Sequence, residues 1–178
     1  MILLINICKE KLHDYEFVKP IEDILKKNRI KYFKKYYEEL TKKDLEIVDK
    51  MIICGTSLKD DGFLKNLGRF NWLKEHKKPV LGICGGMQVI GLQFGGKLGK
   101  KTEIGYYLEG FNKDFVGLTG KQEVYHLHNN YVKFSDEFIE HTNSEINQAV
   151  KHKQKEIYGV LFHPEVRQKG LIINFLKL

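Results

Sequence analysis

The chain opens on Met1-Ile-Leu-Leu-Ile-Asn-Ile7, which is apolar almost without a break. A run of this kind marks a strand buried on both faces, as in a parallel sheet. The period then changes. Phe17, Val18, Ile21, Ile24 and Leu25 recur at helical spacing within residues 15–28. A short strand fits around Ile30–Phe33, and Leu45–Val48 leads into a third strand, Met51–Cys54, that stops at Gly55. Phe63, Leu67, Phe70 and Leu73 fall on one side of a helix near Phe63–His76, and Pro79 ends that connection. Val80–Ile83 reads as a fourth strand and Gly85–Phe94 as a helix closed by Gly95-Gly96. Residues 97–135, rich in Gly, Tyr and Phe, read as short strands and turns. Residues 146–151 and 156–162 read as a strand pair, and Leu171–Leu178 as a last helix.

Alternation of strand and helix predicts an α/β fold: an open, mostly parallel twisted sheet with helices on both faces, and a small antiparallel region in the second half. Functional groups belong at the carboxyl ends of such strands. The 178 residues suit one domain spanning 1–178, with no repeat or linker composition to divide it.

Charge and cysteine content narrow the function classes. The net charge of +7 comes from lysines spread among Glu and Asp, with only Arg29, Arg69 and Arg167 as arginines. Arginine is the better bidentate reader of phosphate, so no nucleic-acid partner is expected. No apolar run approaches the ~20 residues that span a bilayer, and the short apolar start lacks a basic lead and a cleavage site. No membrane association is expected, and the expected location is cytoplasmic. Three widely spaced cysteines, Cys8, Cys54 and Cys84, make neither a disulfide framework nor a zinc site. His126 and His128 could share a strand face, but no second pair with ligand spacing accompanies them. Neither a metal nor an organic cofactor is expected.

The most informative stretch is Pro79-Val-Leu-Gly-Ile-Cys-Gly-Gly-Met-Gln88. An apolar strand runs directly into Cys84, with Gly82, Gly85 and Gly86 around it. That is the composition of a nucleophile elbow, where a strained strand-to-helix turn needs small neighbours. The following helix points its N-terminus at the sulfur and favours thiolate. The N–H of Gly85 is placed to meet an oxyanion. A glycine-rich turn with an incidental cysteine is the plainer reading of this stretch alone.

A cysteine nucleophile needs a base, and the base an orienting group. Among seven histidines, His163 ends the apolar run Ile157–Phe162 and is followed by Pro164-Glu165. An extended backbone puts residues two apart on one side, so Glu165 can hold one ring nitrogen of His163. His13, His76, His141 and His152 sit in charged contexts and read as surface residues.

Together, Gly82-Ile-Cys84-Gly-Gly-Met-Gln88 and Tyr158-Gly-Val-Leu-Phe-His163-Pro-Glu165-Val resemble the class I, triad-type glutamine amidotransferases over essentially the whole chain. The resemblance implies a Cys84 nucleophile attacking the glutamine amide, His163 as acid/base and Glu165 as orienter. A glutamyl thioester forms, and ammonia passes to a partner synthase that holds any ATP site. It further implies Gln88 as a substrate contact and Gly85 with Gly55 and Thr56 as the oxyanion hole. In this loop Thr56 and Ser57 replace the family's second glycine and proline. His128 and Asn129 fall in the segment that binds the substrate's α-carboxylate, where Leu127-His128-Asn129-Asn130 departs from the family pattern.

Phe94–Gly99 with Glu103-Ile-Gly105 resembles the amidotransferase subunit of two-subunit GMP synthases. Gly170–Leu178 looks like the subunit serving imidazole-glycerol-phosphate synthesis, and chorismate-using synthases are further candidates. A stand-alone γ-glutamyl hydrolase and a non-catalytic regulatory module are the alternatives.

Overall fold

The computed structural model describes residues 1–178. In chain order it contains β1 (Ile2–Asn6), α1 (Lys11–His13), a π-helical stretch Asp14–Val18, α2 (Lys19–Lys27), β2 (Tyr32–Tyr36), α3 (Lys42–Glu46), β3 (Lys50–Ile53), a 3-10 stretch Gly62–Lys74, β4 (Val80–Ile83) and α4 (Gly85–Gln93). The second half adds β5 (Lys97–Phe115), β6 (Leu118–Lys133), β7 (Phe138–Glu140), β8 (Ala149–His152), β9 (Ile157–Val160) and α5 (Lys169–Lys177). Seven strands form one sheet in the order β2-β1-β3-β4-β9-β8-β7, and β5 and β6 form a separate two-stranded sheet. The first five strands of that order are parallel, while β8 and β7 complete the sheet antiparallel.

The apolar runs are explained by a core on each face of the sheet. Along β1, Ile2 and Leu4 enter one core and Leu3 and Ile5 the other, as strand alternation demands. Phe17, Ile21 and Leu25 pack on the first face with Leu171 and Phe175 of α5. Phe63, Phe70, Met87 and Ile90 pack on the second. Removing a side chain such as Leu4 or Ile5 from these cores costs about 2–5 kcal/mol.

Several elements differ from expectation. β2 lies two to three residues later than Ile30–Phe33. The stretch from Gly62 is 3-10 with a kink at Asn66, not a regular helix. α3 precedes β3, begun by a capping box in which Thr41 and Asp44 satisfy each other's backbone N–H groups. Residues 97–133 make two long strands in place of short strands and turns. They reverse at Val116-Gly117, where both residues have positive φ (53° and 86°), the backbone of a two-residue hairpin turn. His141 and His152 are buried, contrary to the surface reading. His141 lies against Phe115, and Nδ1 of His152 accepts N–H bonds from Gln154 and Lys155, capping the turn before β9.

Candidate active site

The carboxyl ends of β1, β3, β4 and β9 converge, and Cys84 stands at the end of β4. Its backbone is held at φ 48°, ψ −106°, a strained conformation for a residue with a Cβ. The strain is fixed from both sides. Cys84 N–H bonds Val160 O at 2.7 Å, and Cys84 O accepts from Gln88 N–H in the first turn of α4. The neighbouring glycines leave no room for a side chain. A Cβ on Gly82 falls 2.6 Å from the backbone of Gly86, and one on Gly86 falls 2.2 Å from the carbonyl oxygen of Ile53. The elbow therefore closes only with hydrogen at those positions. Gly85 is the first residue of α4, so its N–H has no acceptor within the helix and faces the site.

His163 and Glu165 meet as expected, with Nδ1 of His163 2.7 Å from Oε1 of Glu165 and both side chains buried. The backbone reaches this contact by a different route. Residues 163–166 form a turn, closed by Val166 N–H donating to His163 O, with Pro164 fixing the second position. The expected extended segment is replaced because the chain leaves the sheet after β9 and His163 N–H bonds Tyr125 O of β6 at 2.8 Å. Nε2 of His163 has no protein hydrogen-bond partner. Burial opposes the imidazolium, but the Glu165 carboxylate and the adjacent Cys84 outweigh it and hold His163 well above the ordinary histidine range. Phe17 covers the ring at 5.3 Å between centroids.

Gly55 follows β3 and stands against both groups. A Cβ there lies 2.7 Å from Cε1 of His163 and 3.4 Å from Cβ of Cys84. The unusual Thr56-Ser57 loop is pinned by Asp60, a residue for which the sequence carries no signal. Oδ2 of Asp60 accepts from Thr56 Oγ1 and Lys9 N–H, each at 2.8 Å, and lies 3.2 Å from Nδ1 of His13. These contacts tie the loop after β3 to the segment after β1. Asp60 lies in the run Lys59-Asp60-Asp61, and nothing in that run marks it out.

A pocket opens beside the sulfur, and its lining includes Thr56, Cys84, Gly85, Gln88, Leu127, His128 and Asn129. The structure thus brings the expected binding residues together at one place. Their side chains divide, however. Gln88 ties its amide nitrogen to Asn130 O at 3.1 Å. Asn129 donates to Leu58 O and accepts from Thr102 Oγ1, acting as a strut between the loop and the hairpin. The His128 ring turns to Glu103 and leaves backbone on the pocket wall. The thiol of Cys84 lies 3.6 Å from Leu127 O, which it meets as a donor. Tyr125 and Leu127 therefore offer their carbonyls to His163 and Cys84 from the edge of β6 that β5 does not cover.

The other two thiols are poor nucleophiles. Burial pushes Cys8 up to about 12 and raises Cys54 well above the usual thiol range. No helix is long and apolar enough to cross a membrane.

The family model "Glutamine amidotransferase class-I" matches residues 12–176. A glutamine-hydrolysing GMP synthase subunit of Pyrococcus abyssi is 37% identical over 140 residues, covering 70% of this chain and 71% of that protein. Imidazole glycerol phosphate synthase subunit HisH 1 of Campylobacter jejuni is 32% identical over 171 residues, covering 76% and 84%. A crystal structure from Thermoplasma acidophilum, assigned provisionally as a GMP synthase subunit, shares the fold with a TM-score of 0.86 at 24% identity, covering 99% of this chain and 92% of that one. The chain belongs to the class I glutamine amidotransferases, enzymes that hydrolyse glutamine.

Proposed function

We propose that this chain hydrolyses glutamine through Cys84, His163 and Glu165 and delivers the ammonia to a synthase subunit, with the ATP-dependent subunit of GMP synthase as the first acceptor. The observation that carries the reading is the buried 2.7 Å contact of His163 with Glu165, beside a cysteine held at positive φ.

The geometry supports the following sequence. The Cys84 thiolate attacks the side-chain carbonyl carbon of glutamine, and charge develops on the carbonyl oxygen. Gly85 N–H and the Gly55-Thr56 backbone stabilise that oxyanion. His163, kept protonated by Glu165, gives its proton to the departing nitrogen, so ammonia leaves and a glutamyl thioester remains. Nε2, now free, takes a proton from water, which attacks the thioester and releases glutamate and the thiolate. Gln88 and the backbone of 127–129 hold the amino-acid end of the substrate. Tethering Cys84 and His163 to one strand edge keeps the two within reach for both proton transfers.

Glutamate release is measured with each synthase added in turn, for the native chain and Cys84→Ala. The reading expects turnover stimulated by the GMP synthase partner and a loss of about 10⁴-fold or more in Cys84→Ala. Turnover that survives the substitution removes the triad assignment. The 32% identity to HisH 1 favours imidazole-glycerol-phosphate synthase as the second acceptor, and selective stimulation by that synthase moves the assignment there.

A further inference from the structure

Behind the pocket wall, three buried side chains converge that the proposed chemistry does not use. Glu103 of β5 pairs directly with His128 of β6, and His126 lies two residues away on the same face. Oε2 of Glu103 is 2.9 Å from Nδ1 of His126 and 3.0 Å from Nε2 of His128, and one ligand atom from each of the three residues lies within 4.8 Å of the others. The relative exposures are 8%, 0% and 2%. Neither nitrogen of His128 has a well-aligned hydrogen-bond partner, although the ring is buried and aimed at Glu103. One carboxylate oxygen already engaged by His126 and by Gln148 Nε2, at 2.8 Å, leaves His128 poorly served. A buried polar ring left this way calls for a further partner.

We infer that Glu103, His126 and His128 form a binding site for a divalent transition-metal ion of the zinc class. Two imidazoles and one carboxylate are the donor set of a three-ligand zinc site with one open position. Ligands about 2.1 Å from zinc in a tetrahedron stand about 3.4 Å apart, within about half an ångström of the two measured contacts. The surroundings also match what metal ligands require. Nε2 of His126 faces Oε1 of Glu109 at 3.4 Å, the carboxylate–histidine arrangement that orients a ligating ring, and Gln148 steadies Glu103 in the same way. On β6, His126 lies between Tyr125 and Leu127, whose carbonyls meet His163 and Cys84, and His128 follows directly, so a bound ion would stiffen the strand both of them lean on.

The test is made on Cys84→Ser protein, which removes the competing thiolate, after stripping with a chelator. Titration with Co²⁺ is expected to give one equivalent bound with the visible absorption of a four-coordinate ion, displaced by Zn²⁺. His128→Gln and His126→Gln are each expected to lower retention at least tenfold, with fold checked by circular dichroism. Should either variant fail to fold, paramagnetic broadening of the His126 and His128 ring signals in the Cys84→Ser protein gives the same answer. Absence of stoichiometric Co²⁺ binding, unchanged retention in folded variants, or broadening confined to other histidines overturns the inference. Metal binding is read here without glutamine turnover, so the site and the triad assignment stand or fall separately.

Discussion

His163 and His128 are both buried imidazoles with a glutamate oxygen within about 3.0 Å, yet their basicities move in opposite directions. His163 is held well above the ordinary range, while burial takes His128 down to about 4. The difference lies in how many groups share each carboxylate. Glu165 serves His163 alone, and Cys84 adds a second group that favours the imidazolium. Glu103 is divided among His126, His128, Gln148 and Lys101, and the two rings oppose each other's protonation. A carboxylate beside a buried histidine therefore does not by itself raise its basicity. Exclusive pairing does so here, where attraction exceeds the cost of removing the charged ring from water.

The exclusive pair is where this contrast breaks most forcefully. Glu165→Gln removes the charge that raises His163, so the imidazolium is lost at lower pH. The basic limb of the kcat/KM profile for glutamine is expected to move toward acid, with activity down about 10²–10⁴-fold. An unmoved limb would mean Glu165 does not set that basicity. Gly55→Ala attacks the same pair by displacement, since the new Cβ meets Cε1 of His163 at 2.7 Å. About a 10²-fold loss of glutamine turnover is expected, from a shift of the ring by a fraction of an ångström or more. Asp60→Ala frees the Thr56-Ser57 loop without touching the pair. Loss of roughly tenfold in kcat/KM is expected, with the pH profile retained, each charge-assisted bond having a worth of about 1.5–3 kcal/mol. Glu103→Ala tests the shared carboxylate. It leaves His126 and Gln148 without their acceptor, and chelator-treated protein should lose about 1–3 kcal/mol in denaturant unfolding. Its basic limb should stay where the native one lies, which is the sharpest contrast with Glu165→Gln.

Legibility in the sequence follows the same division. Val80–Ile83 running into Cys84 is readable because a buried strand is apolar throughout and an elbow can close only around glycine. His163 and Glu165 are readable as a pair because two residues across a proline can scarcely avoid each other, although the segment that joins them reads as extended and folds as a turn. The hairpin is not readable as two long strands. Its outward residues, such as Lys113 and Lys121, carry no apolar alternation, and its pairing is decided by the turn at Val116-Gly117. The register that brings Glu103 to His128 exists only once that hairpin is formed, so spacing along the chain gives two histidines and no third ligand. Asp60 is hidden for a similar reason. Its partners, Lys9, His13 and Thr56, arrive from two different strand ends.

Of the three cysteines, Cys84 alone is the proposed nucleophile. Incubating the native chain with a glutamine analogue bearing an electrophilic diazoketone, followed by intact-mass and peptide mapping, tests it directly. A single adduct is expected on Cys84, blocked by glutamine, with Cys8 and Cys54 unmodified because desolvation holds both thiols protonated. No adduct, or an adduct on Cys8 or Cys54, would contradict it.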